Sequence, residues 1–211
     1  METKVKICGI TQCSEVQYLN KVHPDYMGIV LYFPKSKRNI SLEQAAALCE
    51  LTEETVKKVA VTVSPDSEQV RAIGKAGFDY LQVHGELTED ILQQSPIPVI
   101  RAFQGVDAGE IRRLCARPEI YGFLFDAAQP GSGKVFDWNT LREIRKDAGD
   151  KKVFLAGGLT PENVGEAIRV VRPDVVDVSS GVENASGQGK DVEKIREFIE
   201  HAGHALSLKR V

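Results

Sequence analysis

The chain has 211 residues, 42% hydrophobic and 27% charged, enough for one sizeable core and too well mixed for a disordered protein. Its 27 Lys and Arg against 30 Asp and Glu give a formal charge of -3, which leaves no basic footprint for nucleic acid. Local phosphate binding stays open, because backbone N–H groups bind anions without net charge.

The first apolar run is residues 5–8 (Val-Lys-Ile-Cys), closed by Gly9. Residues 11–22 read as a helix with Val16 and Leu19 on one side. Residues 26–33 are continuously apolar up to Pro34, as in a strand buried on both faces. A basic loop, Lys35-Ser36-Lys37-Arg38, follows, and Ser41 with Gln44 reads as the capping box of a helix that continues through residues 45–51. The third run, 58–63, is broken by Pro65, and 67–74 is a helix with Val70 and Ile73 inward. The fourth run is 80–83, closing on His84-Gly85, and Thr88 caps a short helix through Leu92. The fifth is 98–102, with Arg101 near its end, then a helical pattern over 110–115 and the sixth run over 120–125.

Asp126 ends that sixth run and faces a loop rich in Pro, Gly and Ser (Pro130 to Gly133). Asn139 or Thr140 caps the next helix, which runs to about Ala148 and is terminated by Gly149-Asp150. The seventh run, 153–156, meets Gly157-Gly158, and Pro161 takes the first position of a helix to Val170. The eighth, 175–178, meets Ser179-Ser180-Gly181. Asp191 opens a last helix through Ile199, and residues 201–211 form a weakly specified tail.

Eight runs, each followed by room for one crossover helix, are the demand of parallel strands. Eight such units favour a closed (β/α)8 TIM barrel over an open doubly wound sheet. The sequence has neither a Gly-x-Gly-x-x-Gly turn after its first strand nor a P-loop. The barrel usually takes about 250 residues, so the loops here are lean. No linker or composition break divides the chain, and a single domain over residues 1–211 is expected.

In a barrel the C-terminal strand ends meet on one face, where chemistry is expected. That face gathers Cys8, Arg38, Gln82, His84, Arg101, Asp126, Gly157-Gly158, Asp177 and Ser179-Ser180-Gly181. The glycine loops after the last two strands fit a phosphate cup of inward backbone amides, though each alone also reads as a tight turn. Cys8 reads as a packed core thiol or as a proton acceptor. Asp126 reads as a proton donor or a loop cap, and His84 as a site residue or a satisfied loop histidine. The four cysteines, Cys8, Cys13, Cys49 and Cys115, lack metal-site spacing, and the four histidines are scattered, so no metal is expected. No Gly-x-Ser-x-Gly elbow supports a serine hydrolase. A short charged N-terminus without a signal pattern, and no run near 18 apolar residues, lead to a reduced, cytoplasmic chain with no membrane partner.

Taken together, a set of motifs resembles the phosphoribosylanthranilate isomerase family of tryptophan biosynthesis. They are Lys6-Ile-Cys-Gly9 with Thr11, Ser36-Lys-Arg38, Leu81-Gln-Val-His-Gly85 and Phe125-Asp-Ala127. Gly131-Ser-Gly133 with Phe136-Asp-Trp138, Leu155-Ala-Gly-Gly-Leu159 with Pro161-Glu-Asn163, and Val176-Asp-Val-Ser-Ser-Gly-Val-Glu183 follow in family order. The resemblance implies a (β/α)8 barrel and a cofactor-free Amadori rearrangement of N-(5-phosphoribosyl)anthranilate. It implies Cys8 as general base, Asp126 as general acid and Arg38 at the anthranilate part of the substrate. It also implies Gly157, Gly158, Ser180 and Gly181 at the phosphate, and Gln82, His84 and Asp177 along the site. Two departures stand out: Pro130-Gly-Ser-Gly133 where many relatives carry a Gly-Gly-Thr-Gly-like loop, and Lys37 where Pro is common. Another phosphate-binding barrel isomerase, or a non-catalytic phosphate-binding module, is the alternative, and the chain is expected as a monomer or homodimer.

Overall fold

The structure, a computed structural model, describes residues 2–105, 107–126 and 138–205. Its strands are β1 (Lys4–Cys8), β2 (Tyr26–Leu31), β3 (Asn39–Ile40), β4 (Lys57–Val63) and β5 (Tyr80–His84), then β6 (Val99–Gln104), β7 (Ile120–Asp126), β8 (Lys152–Ala156) and β9 (Val175–Val178). They hydrogen-bond in the order β1-β9-β8-β7-β6-β5-β4-β2, and β1 also pairs with β2, which closes the ring. All these pairings are parallel. The eight predicted runs are the eight staves. The ninth strand, β3, adds only two residues beside Val30 and Leu31 of β2.

Between the staves lie helices α1 (Cys13–Val22), α2 (Leu42–Leu51), α3 (Ser67–Lys75), α4 (Glu89–Gln94), α5 (Ala108–Cys115), α6 (Trp138–Ile144), α7 (Val164–Val171) and α8 (Val192–His204). The predicted caps at Ser41 and Thr88 form: Ser41 Oγ accepts from the Gln44 N–H at 3.2 Å, and Thr88 Oγ1 from the Ile91 N–H at 3.3 Å.

Three helices differ most from the sequence reading. α6 begins at Trp138, ahead of the predicted caps, and gives way to turns after Ile144. α7 begins at Val164 and not at Pro161. There the Asn163 side chain accepts from the Thr160 N–H at 2.8 Å and closes a turn that competes with the first helical turn. α8 continues to His204, because Ala202 and Ala205 extend its buried stripe where the charged sequence suggested a tail. The Pro130–Gly133 loop, Phe136 and Asp137 lie outside the described residues.

Side-chain alternation along each stave decides what faces where. On β1, Val5 and Ile7 join the layer between strands and helices, while Cys8 packs inside the ring. On β8, Val153 and Leu155 face the helices and Phe154 and Ala156 face inward. The lower interior, toward the N-terminal strand ends, is an aromatic plug. Tyr26 meets Phe154 edge-on at 5.6 Å between ring centroids, Tyr80 lies 4.4 Å from Tyr121, and the Tyr26 and Tyr121 hydroxyls share a 2.9 Å hydrogen bond. Among the described residues no helix is long and apolar enough to cross a membrane.

Candidate active site

At the other end of the ring, a cavity of about 240 Å³ is lined by Cys8, Arg38, Gln82, His84, Asp126, Gly157, Gly158, Asp177 and Ser180, with Val61, Leu124, Ala156, Leu159 and Ser179. Each polar member except Arg38 and Gln82, the latter in mid-strand, sits at or near the C-terminal end of its stave, as in other proteins of this fold. All the predicted site residues gather here save Gly181, which is set back. Its missing side chain lets the 3-10 turn Ser180–Val182 pack on the backbone of Leu159 and Thr160. Gly157 and Gly158 both adopt positive φ, at 89° and 67°, a backbone bend that glycine takes without strain. Arg101 faces outward instead. Its guanidinium donates to the carbonyls of Val83 and Gly85 and to Glu110, so it ties β5 and α5 to β6.

Beneath the cavity the expected site residue Asp177 has a partner that the sequence reading gave no role. Lys6 stands directly opposite Asp177 in the β1–β9 register, and its Nζ donates to Asp177 Oδ2 at 2.9 Å. Lys6 is 0% exposed and Asp177 7%. Burial alone would lower the Lys6 ammonium, but Asp177 and Cys8 beside it outweigh that and hold it above the ordinary lysine value. Burial pushes the Cys8 thiol up; Lys6 and Lys190 oppose that rise and Asp177 adds to it. The signal for Lys6 was a charge inside an apolar run, two residues from Cys8 and therefore on the same face.

Gly28 was also missed. It pairs with Cys8 in the β1–β2 register, and a Cβ on it would lie 2.8 Å from Cys8 Sγ and 3.1 Å from Lys6 Nζ. The glycine therefore makes room for both side chains.

Across the cavity Gln82 Nε2 lies 2.8 Å from His84 Nε2. Burial, with Lys6 and Arg101 nearby, lowers His84 to about 4, so the ring is neutral at pH 7. Gln82 Oε1 and Asp177 Oδ1 are buried without hydrogen-bond partners among the described residues. Such orphaned acceptors at a cavity wall suit a ligand that brings hydroxyl or amine donors.

Arg38 arrives from the loop after β2. Its Nε donates to Glu183 Oε1 at 2.6 Å, while Lys37 Nζ donates to Glu183 Oε2 at 2.8 Å. Burial works to raise the Glu183 carboxyl, but hydrogen bonds from Lys37 and Arg38 outweigh it and hold it below the usual range. Gly9, at φ 82°, lets the Arg38 side chain pass directly over β1; any Cβ there would overlap it. Glu183 therefore fixes the two loops that flank the mouth, and its signal was a lone acid closing the Val176–Glu183 motif.

The same arrangement has counterparts. A family model described as N-(5'-phosphoribosyl)anthranilate (PRA) isomerase matches residues 5–201. An N-(5'-phosphoribosyl)anthranilate isomerase of Streptococcus gordonii is 44% identical over 199 residues, covering 94% of this chain and 96% of that one. The crystal structure of phosphoribosyl anthranilate isomerase from Thermotoga maritima superposes with a TM-score of 0.83 at 36% identity, over 95% of this chain and 98% of that one. A further structure of such an isomerase, in complex with reduced 1-(o-carboxyphenylamino)-1-deoxyribulose 5-phosphate, is 34% identical with a TM-score of 0.80, over 95% of this chain and 98% of that one. With a family model spanning the barrel from β1 into α8 and relatives matched along nearly their whole length, the chain belongs to the N-(5'-phosphoribosyl)anthranilate isomerase family.

Proposed function

We propose that the protein converts N-(5'-phosphoribosyl)anthranilate to 1-(o-carboxyphenylamino)-1-deoxyribulose 5-phosphate by an Amadori rearrangement, with Asp126 as general acid and Cys8 as general base. The observation that carries the roles is the cavity itself, which sets a carboxyl and a thiol into one wall-lined space beside two glycine-bearing loops. Asp126 gives a proton to the ribose ring oxygen, and the C1–O bond breaks to leave an iminium. The positive nitrogen acidifies the C2–H, and the Cys8 thiolate takes that proton. The resulting enolamine tautomerises to the ketone at C2. Substrate and product are isomers, so proton transfers alone complete the turnover.

Burial above the ordinary thiol range makes Cys8 a stronger base once ionised, at the expense of a smaller ionised fraction. Gly157, Gly158 and Ser180 form the phosphate cup, with Gly181 packed behind it, and its binding energy holds the sugar in register with acid and base. Arg38 takes the anthranilate carboxylate at the far end, and its anchoring by Glu183 sets the guanidinium in advance. Gln82, His84 and Asp177 supply the remaining polar wall to the sugar hydroxyls and amine. The four cysteines are free thiols, which supports a cytoplasmic enzyme.

Mixing the purified protein with freshly made phosphoribosylanthranilate and following its fluorescence tests the activity. Enzyme-dependent loss of signal, with the carboxyphenylamino ketose as product, is the expected result. A non-catalytic phosphate-binding module would bind without any loss.

A further inference from the structure

We infer that Lys6 is a positioning residue for the isomerisation, a buried cation that stabilises the thiolate of Cys8, the form that accepts the proton. The inference rests on the reading of Cys8 as the base. Lys6 and Cys8 lie two residues apart on β1, so both side chains enter the ring on the same face. Their heads converge on one point of β2, the vacant side-chain position of Gly28, 2.8 Å from the sulfur and 3.1 Å from the ammonium. Lys6 Nζ donates to Asp177 Oδ2 at 2.9 Å, and its positive charge favours ionisation of the neighbouring Cys8 sulfur.

A fully buried lysine is rare in proteins unless paired, and a buried ion pair is a poor source of stability compared with apolar side chains of the same volume. The lower half of this same interior is filled with aromatic rings, so the fold has no need of a charge here. What the pair does supply is a cation locked near a sulfur whose ionisation burial opposes. Asp177 keeps the ammonium charged and in place with one carboxylate oxygen.

The charged and titratable groups facing Cys8 come from six directions of the mouth. Lys6 is on β1, Asp177 on β9, Lys190 ahead of α8, Arg38 after β2, His84 on β5 and Asp126 on β7. His84 is neutral, Arg38 is engaged by Glu183, and Lys190 Nζ donates to the Ser179 carbonyl at 3.0 Å. Lys6 opposes the rise of the thiol more than Lys190 does, and its head shares the Gly28 position with the sulfur.

The test reads the thiolate directly. In a Cys13→Ser/Cys115→Ser background, the rate of Cys8 alkylation by iodoacetamide is followed against pH, with the site of labelling located by peptide mass. Lys6→Met should move the alkylation midpoint up by at least about one pH unit, a loss of about tenfold in thiolate at neutral pH. The kcat at neutral pH should fall at least as far and recover toward alkaline pH, with KM little changed. Because Lys6→Met strands the Asp177 carboxylate, the same curves are taken for Lys6→Met/Asp177→Asn, which leaves neither charge buried alone. Asp177→Asn by itself is the reference for that double variant, because Asp177 both anchors the ammonium and opposes the thiolate. A midpoint in folded Lys6→Met no higher than wild type, or in the double variant no higher than in Asp177→Asn, overturns the inference. The base assignment fails separately: Cys8→Ala with wild-type turnover would remove it whatever the alkylation curves do.

Discussion

The two halves of the barrel interior obey the same alternation and hold opposite chemistry. Toward the N-terminal strand ends, Tyr26, Tyr80, Tyr121 and Phe154 interlock, and the hydroxyls of Tyr26 and Tyr121 satisfy each other. Toward the C-terminal ends stand Cys8, His84, Asp126 and the Lys6–Asp177 pair, with Gln82 Oε1 and Asp177 Oδ1 left unpartnered among the described residues. The lower half satisfies its own polar groups; the upper half keeps acceptors that a donor-bearing ligand would satisfy. Volume does not separate them. The larger cavity, about 620 Å³, lies at the lower mouth around Lys4, Tyr121, Arg145 and Asp174, where the charges pair with each other. The chemistry of the lining, and not its size, marks the site.

The largest effect that would sharpen this contrast is on turnover. Cys8→Ala and Asp126→Asn should each lower kcat by roughly 10²–10⁴, the usual share of one acid or base. The urea denaturation midpoint should move little. Near-normal kcat in either variant would erase that residue's role. In the lower half the pattern should reverse. Phe154→Ala should lose about 3–5 kcal/mol in chemical denaturation, the range for a buried aromatic ring removed from a packed core. The kcat per folded molecule should stay within a few fold, and a loss of kcat without a loss of stability would break the division.

A smaller effect is expected at the mouth. Arg38→Ala should raise KM about tenfold or more, as for the loss of a hydrogen bond to a charged group, and lower kcat less. Unchanged KM and kcat would place the anthranilate carboxylate elsewhere. The smallest concerns His84, a polar residue kept neutral inside. Its folded pKa, about 4, lies below the unfolded value of about 6.5, so the unfolded chain binds the extra proton first. Its contribution to stability is complete above that unfolded value and is lost as pH falls from there toward 4. His84→Gln should flatten the decline of stability across this window, measured by denaturation at several pH values. An identical decline in the variant would assign the acid sensitivity to other groups.

The staves were legible because parallel strands buried on both faces are written as short apolar runs between turn residues. The capping pairs at Ser41 and Thr88 were legible because they are local. Less local features were not. Asn163 diverts the start of α7 by a side-chain turn, and the helical end of α8 depends on Ala202 and Ala205 finding a buried surface. The site divides the same way. Cys8 and Asp126 stand at strand ends that can be counted. Lys6 pairs with Asp177 only because the ring closes at a particular register, Arg101 turns outward through strand parity, and the room for Cys8 comes from Gly28 on the neighbouring strand. Gly181 looked like part of an anion loop, and its nearest demand is the Leu159 backbone.

The seam between β1 and β9 has a consequence for how the protein is made. Lys6 and Asp177 are 171 positions apart, so most of the barrel has left the ribosome before the partner of Lys6 has been synthesised. Until then the ammonium must remain hydrated, which keeps the first strand from being sealed inside an incomplete ring. Contacts this distant in sequence also form late and slowly, because the chain between them must be ordered first. Maturation and catalytic competence are thereby joined in time: the contact that locks the last strand to the first also completes the surroundings of the thiol.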